Sequence, residues 1–188
     1  LQQGKINAVA VGAHKILSKL AGHLEPVRAV DVMLAEGRRG FKVAQCVTRH
    51  NFFDAASPFD GGATLDRSRA LGTLVRLVER VTELQHRDVA LYGLLFTALA
   101  EVQGADESCL KAVFGKQLRG LATHFGYAPE FAACVVCSSV ENLTRFSPQL
   151  GGVVCLNERL NDGTIFFEAG EERLHEYVMA VLRWRNCV

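Results

Sequence analysis

Proline, net charge and long apolar runs are all scarce in this sequence, and each scarcity excludes a class of protein. The chain has 188 residues with only 4 prolines, and its 21 basic and 20 acidic side chains leave a net charge of +1. This balance excludes a polycationic protein and an acidic, disordered one. Since no run of 18 apolar residues occurs, the sequence also predicts no membrane-spanning helix.

Catalytic and nucleotide-binding signatures are missing as well. The sequence contains no G-x-S-x-G, H-E-x-x-H, P-loop or G-x-G-x-x-G motif, and these motifs position nucleophiles, zinc ligands and phosphates. We therefore expect no catalytic residue, no cofactor and no metal. The sequence starts at Leu1 without a leader, and its length suits one domain over residues 1–188 that is a fragment of a longer chain.

Apolar residues at helical spacing are the main positive signal. Three of the four prolines stand where helices could start, and short connections between the apolar stretches favour antiparallel neighbours. The sequence predicts a mainly α fold of antiparallel helical hairpins, arranged as a bundle or a short helical-repeat array. The expected helices cover residues 6–20, 26–34, 64–85, 88–102, 106–126, 129–143 and 174–182. The helix at 88–102 is apolar nearly all round and is expected to be surrounded by the others.

Two stretches fit more than one element. Residues 40–50 fit a strand or a helix about equally, and their helical neighbours favour the helix. Residues 153–168 flank a turn signal at Asn161-Asp162-Gly163 and predict a small β-hairpin. Leu156 and Leu160 at helical spacing keep the helical alternative open for that region.

Cysteine is frequent, with six residues, and its apolar neighbours indicate packing rather than disulfides. Cys134 and Cys137 form a C-x-x-C pair among alanines and valines, and a metal site would need two further ligands at a recognisable spacing. Reduced thiols predict an intracellular protein, in the cytoplasm or nucleus. Cys46 and His50 would share one face of a helix, so a thiol-dependent enzyme using Cys46 or Cys134 is a minor alternative.

One short segment carries positive charge without local acidic residues. Between Gly37 and Asn51 lie four cations and an aromatic ring, and such segments can bind phosphates and bases through charge and stacking. We expect any ligand or nucleic-acid contact to centre on Arg38, Arg39, Phe41, Lys42 and Arg49.

These observations favour a non-catalytic interaction or scaffold domain of a larger intracellular assembly, with a protein as its partner. The alternative is an RNA-binding or RNA-processing accessory domain that uses residues 38–49 to hold RNA or another phosphate-bearing ligand. No membrane partner is expected.

Overall fold

The computed structural model describes residues 4–13, 15, 18–38, 40–53, 61–147, 149–158 and 167–168. It divides the chain into two compact units, residues 1–105 and 106–188. Within the described ranges, no helix has the length and apolar character needed to cross a membrane.

The first unit begins with a three-stranded sheet. Strands β1 (Ala8–Val9), β2 (Arg28–Gly37) and β3 (Gly40–Asn51) lie in the order β1-β3-β2. Strand β2 pairs with β3 in antiparallel fashion, while β1 runs parallel to β3. Gly37 pairs with Gly40 at the hairpin turn. Gly40 has a φ of 105°, which explains the glycine there.

This sheet corrects three helical predictions. The expected helices at 6–20, 26–34 and 40–50 are wrong, because the described residues there form strands, turns and irregular segments. In β2, Val30 and Leu34 are partly buried while Asp31 and Met33 are exposed. Val32 between them is exposed as well, so burial along β2 does not alternate with a period of two. The pairing of Arg28–Gly37 with β3 makes this segment a strand.

Two antiparallel helices complete the first unit and confirm the expectation for residues 64–102. Helix α1 is Gly61–Val81 and α2 is Val89–Gly104. The Asp88 side chain caps α2 by accepting the Leu91 amide at 2.8 Å. The helices pack through buried side chains, namely Ala70, Leu71, Leu74 and Leu77 of α1 and Leu91, Ala98, Leu99 and Val102 of α2.

The sequence predicts that the helix at 88–102 is surrounded by other helices. In the structure, α2 is buried on only part of its surface. Val89, Tyr92, Leu94 and Phe96 remain partly exposed, although the Phe96 ring still packs against the buried Phe52 ring, with 5.4 Å between the ring centroids. The mean apolarity of a helix gave no indication of which side would pack.

The second unit contains one helix and a second sheet among its described residues. Helix α3 (Leu110–His124) confirms the expected helix at 106–126, preceded by a 3-10 turn at Glu107–Cys109. Strands β4 (Leu143–Ser147), β5 (Gly152–Cys155) and β6 (Phe167–Glu168) follow, in the order β5-β4-β6. The predicted hairpin is wrong in its pairing, because β4 lies between β5 and β6. Its turn at residues 161–163 lies outside the described residues, as does the expected helix at 174–182.

The expected helix at 129–143 is also wrong, and with it the mainly α fold of helical hairpins. Residues 130–142 form turns that lie against β5, with Val135 N–H donating to the Val153 carbonyl at 3.0 Å. Ser138 has a φ of 60°, which a helix interior does not accommodate. Hydrogen bonds to a distant strand here outweigh a locally helical apolar spacing.

We predict that Leu99→Ala destabilises the chain and that Leu94→Ala, on the same helix, does so far less. Leu99 is 6% exposed and Leu94 is 40% exposed, so only the first substitution leaves a cavity. The expected loss of unfolding free energy is about 2–5 kcal/mol for Leu99→Ala and below about 1 kcal/mol for Leu94→Ala. Urea unfolding followed by circular dichroism measures both, and equal losses would show that the outer side of α2 is buried as well.

A second prediction concerns Gly152, where β5 meets residues 130–135. A Cβ atom at this position would lie 2.4 Å from Val135 Cγ1 and 2.7 Å from the Glu130 carbonyl oxygen. Gly152→Ala should therefore cost about 1–3 kcal/mol through overpacking. Gly93→Ala is the control, since nothing lies within 4 Å of its added Cβ and alanine favours a helix. A chain as stable with Gly152→Ala as without it would contradict this close approach.

Candidate functional site

The predicted basic segment forms the β2–β3 hairpin. Arg38 lies exposed in the turn and Lys42 is exposed on β3, while Arg39 lies outside the described residues. The turn end of this hairpin carries two exposed cations, Arg38 and Lys42, which are close together in sequence. We call this pair the hairpin tip.

Arg49 lies at the other end of β3 and has an acidic neighbour that the sequence did not reveal. Its Nε donates to Asp31 Oδ2 at 2.6 Å, and a second guanidinium nitrogen also contacts that carboxylate. The hydrogen bond and charge of Asp31 raise the pKa of Arg49 further. Because Asp31 already neutralises its charge, Arg49 is a weaker candidate for anion binding than the hairpin tip.

Phe41 and Lys42 are adjacent in sequence but point to opposite faces of the sheet. Phe41 is half-buried and pairs across the strands with Glu36, whereas Lys42 pairs with Ala35. The structure therefore does not bring the aromatic ring and the lysine onto one face. Stacking on Phe41 and phosphate contact by Lys42 would have to serve different parts of a ligand.

The proposed Cys46–His50 pair does not form a dyad. Both residues lie on β3, where four residues span about 13 Å. The His50 ring contacts the Gln103 side chain at 2.8 Å, and burial raises the pKa of the Cys46 thiol. The catalytic interpretation of this pair fails on geometry.

Three other thiols do come together, in the second unit. The sulfur atoms of Cys134, Cys137 and Cys155 all lie within 4.8 Å of one another. Cys134 and Cys155 are buried, whereas Cys137 is exposed. We call these three residues the thiol cluster. The sequence suggested only the C-x-x-C pair, because Cys155 follows at no standard ligand spacing.

Backbone and side-chain contacts hold the thiol cluster in place. The Cys155 N–H donates to Cys134 Sγ at 3.4 Å, and the Cys134 N–H donates to the Ser139 carbonyl at 2.8 Å. The half-buried Arg145 donates from one guanidinium nitrogen to the carbonyls of Cys155 and, at 2.7 Å, Glu158. Arg145 thereby fixes the chain that follows β5.

Cys134 is the thiol of the cluster that ionises at the lower pH, before Cys137. Burial opposes ionisation of this thiol, but hydrogen bonds from the backbone of Cys137, Cys155 and Val136 outweigh it and lower the Cys134 pKa to about 7. A backbone hydrogen bond at Ser139 favours the Cys137 thiolate, yet the Cys134 and Cys155 thiols, burial and the Cys134 charge raise its pKa to about 11.

Three clustered thiols are a ligand set for a soft metal ion. Tetrahedral zinc with Zn–S bonds near 2.3 Å places its sulfur atoms about 3.8 Å apart, and Cys137 Sγ lies 3.5 Å from Cys155 Sγ. Three thiolates leave one position for water or another ligand. The geometry removes the main reason for the sequence-based expectation of no metal, and a measurement of metal content tests that expectation.

Helix α3 presents a second group of cations that sequence reasoning missed. The helix contains Lys111, Lys116 and Arg119 and no acidic residue. Five exposed positions share one side of it, Ala112, Lys116, Arg119, Gly120 and Thr123. We call these five residues the α3 basic face. The guanidinium carbon of Arg119 lies 5.6 Å from the centre of the Phe131 ring. Part of the signal was present in the sequence, because the predicted helix at 106–126 has no acidic residue after Glu107 and contains three lysine and arginine residues.

Comparison with known proteins gives consistent matches. Residues 63–166 match the family model described as Recombination protein O C terminal. The chain is 33% identical over 160 residues to the DNA repair protein RecO of a Nocardioides species, covering 82% of this chain and 62% of that protein. It is 32% identical over 162 residues to the RecO of Cutibacterium acnes, covering 83% and 63%. The chain thus spans somewhat less than two thirds of these relatives.

These matches correct the functional interpretations drawn from the sequence. The relatives are named for DNA repair, so the generic scaffold and the RNA-processing accessory domain are both wrong. Scaffold proteins and non-catalytic DNA-binding proteins both lack catalytic motifs. The amino-acid composition does not distinguish between these two classes.

We predict that the thiol cluster binds about one zinc ion per chain and that Cys155→Ser removes most of it. Loss of one of three thiolates lowers zinc affinity strongly, because each ligand contributes a metal–sulfur bond. Elemental analysis of the purified chain is the measurement, with Cys109→Ser as a control, since Cys109 is exposed and outside the cluster. Zinc-free wild-type chain, after purification without chelators, would uphold the sequence-based expectation instead.

Proposed function

The chain belongs to the Recombination protein O family, and we propose from this premise that it acts in DNA recombination and repair by holding DNA through phosphate contacts. The observation that carries the proposal is the α3 basic face. It lies inside residues 63–166, the part of the chain that matches the family model. DNA carries a dense line of negative charge, and exposed lysine and arginine are the side chains that neutralise it.

The composition of the α3 basic face suits a close approach of the DNA backbone. Lys116 and Arg119 supply the charge, while Ala112, Gly120 and Thr123 are small residues beside them. Small side chains leave room for a phosphate between the two cations, and the threonine hydroxyl can donate to it. The absence of acidic residues from α3 removes repulsion within the helix itself.

The hairpin tip is the second proposed contact, in the first unit. Arg38 and Lys42 are exposed, and Arg39 between them in sequence adds a third charge. Arg49, which the sequence grouped with them, already contacts Asp31. We therefore assign phosphate contact to the hairpin tip. Arg49 instead links β3 to β2 through its ion pair with Asp31.

The proposal has consequences for the partners of the protein and for its location in the cell. A protein that holds DNA during repair works beside other recombination proteins and within the compartment that contains DNA. Neither consequence depends on a membrane, and the surfaces named above recognise phosphate rather than base sequence.

We predict that Lys116→Glu with Arg119→Glu weakens DNA binding, by about tenfold for each phosphate that is no longer neutralised near 0.1 M salt. Fluorescence anisotropy with labelled single-stranded and duplex oligonucleotides measures the affinity at several salt concentrations. The salt dependence of log K should also fall by about 0.7–0.9 for each such phosphate. Arg38→Glu with Lys42→Glu tests the hairpin tip in the same assay.

The matched control is Arg76→Glu with Arg80→Glu. Both arginines are exposed on α1, where Glu79 and Glu83 are close in sequence, and their reversal changes net charge by the same amount. An affinity reduced as much in this control as in the α3 variant would indicate diffuse attraction and contradict the assigned surface. Unchanged binding in the α3 and tip variants alike would contradict the proposed function.

A further inference from the structure

Phe131 lies where helix α3 and the second sheet both contact one aromatic ring. The guanidinium carbon of Arg119 lies 5.6 Å from the centre of this ring. The ring of Phe146, a buried residue of β4, lies 5.6 Å from it between centroids. Phe131 itself is half-buried. The ring therefore connects an exposed cation of the α3 basic face to the interior of the second unit.

The backbone beside Phe131 is held by strand β5 and by a local side chain. The Glu130 N–H donates to the Gly151 carbonyl at 3.0 Å, and the Glu130 carbonyl accepts the Val153 N–H at 2.9 Å. On the other side of Phe131, the Ala132 N–H donates to Glu130 Oε1 at 2.6 Å. A ring carried by such a segment keeps its place, because neither neighbour can shift without losing hydrogen bonds.

Contact with the face of a ring orients a guanidinium without using its hydrogen bonds. A phenylalanine ring attracts a cation that lies over its face within about 6 Å of its centre. The N–H donors of arginine lie in the plane of the guanidinium and form a fork that matches two phosphate oxygens. Among the described residues, no carboxylate forms an ion pair with Arg119. Phe131 thus orders Arg119 while leaving its charge to a phosphate.

We propose that Phe131 is a positioning residue for DNA contact, because it holds the Arg119 guanidinium in place before a phosphate arrives. The inference rests on the proposed function, since it takes Arg119 to be a phosphate contact. A long, flexible side chain loses rotational freedom when a ligand fixes it, and this loss weakens binding. Arg119 has already lost part of that freedom in the free protein, so less is lost when DNA binds. Phe131 itself needs no contact with DNA.

Replacing Phe131 should weaken DNA binding without changing the number of neutralised phosphates. We expect Phe131→Leu to reduce the affinity about two- to tenfold, which is the cost of ordering one such side chain. The slope of log K against log salt should stay unchanged, because Arg119 still neutralises its phosphate. Phe131→Tyr keeps the ring face and should restore the wild-type affinity. Arg119→Gln, in contrast, should lower both the affinity and the slope.

The double variant Arg119→Gln with Phe131→Leu separates a positioning role from a merely structural one. If Phe131 acts through Arg119, Phe131→Leu should change the affinity little in a chain that already carries Arg119→Gln. Phe125→Leu is the matched control, since Phe125 is half-buried in the same unit and its ring contacts His124. Fluorescence anisotropy with the same oligonucleotides measures every affinity, and circular dichroism checks that each variant folds.

A measurement on the wild-type chain keeps the inference testable if Phe131→Leu does not fold. Nitrogen-15 relaxation of the arginine Nε–H groups reports how ordered each guanidinium is. Arg119→Gln identifies the Arg119 signal by its disappearance. In the free chain, the Arg119 Nε–H should be clearly more ordered than that of Arg76, which is exposed on α1. Equal order in the two arginines would overturn the inference.

Three results with the variants would also overturn it. The first is a wild-type affinity in Phe131→Leu while Arg119→Gln binds more weakly. The second is an equal loss from Phe131→Leu with and without Arg119→Gln, or a loss as large from Phe131→Tyr or from the Phe125→Leu control. The third is an unchanged affinity in Arg119→Gln. In that case the proposed function fails as well only if the reversals of Lys116 and Arg119 and of the hairpin tip also leave binding unchanged.

Discussion

The contact between residues 130–135 and strand β5 determines the organisation of the second unit. The Glu130 N–H donates to the Gly151 carbonyl at 3.0 Å, and the Val153 N–H donates to the Glu130 carbonyl at 2.9 Å. Only a residue without a Cβ fits between them at Gly152. Because the two segments lie this close, the Cys155 amide reaches the Cys134 sulfur. The thiol cluster therefore depends on a backbone contact rather than on the spacing of its cysteines.

The first unit shows the same dependence on strand pairing. Within residues 38–49 there is no acidic side chain, which made the segment look like one continuous basic surface. The register of β2 against β3 places Asp31 opposite Val47, close enough for the Arg49 guanidinium. A segment that is basic in sequence is thus divided by its partner strand into an exposed tip and an ion pair.

The parts of the fold that could be predicted are those set by local sequence. Helices α1, α2 and α3 follow from apolar spacing with caps such as Asp88, and a helix satisfies its own backbone hydrogen bonds. Strands β2 and β3 could not be separated from helices in this way, because Val30 and Leu34 fit both periods. Their hydrogen-bond partners lie elsewhere in the chain. The place of Cys155 beside Cys134 and Cys137 could not be predicted for the same reason, since it depends on contacts with a distant part of the chain. The α3 basic face, in contrast, could have been found from the predicted helix alone.

The charge of the thiol cluster links its possible states. Cys134 ionises near neutral pH. A backbone hydrogen bond at Ser139 lowers the pKa of Cys137, but hydrogen bonds with the Cys134 and Cys155 thiols, burial and the Cys134 charge together raise it. A second thiolate needs a compensating positive charge, which a divalent cation supplies at the centre of the three sulfurs. Without a cation, the thiols share one charge, and the exposed Cys137 remains a protonated sulfur beside a buried partner. Metal binding and protonation are therefore competing ways of stabilising three sulfur atoms that the fold holds within 4.8 Å.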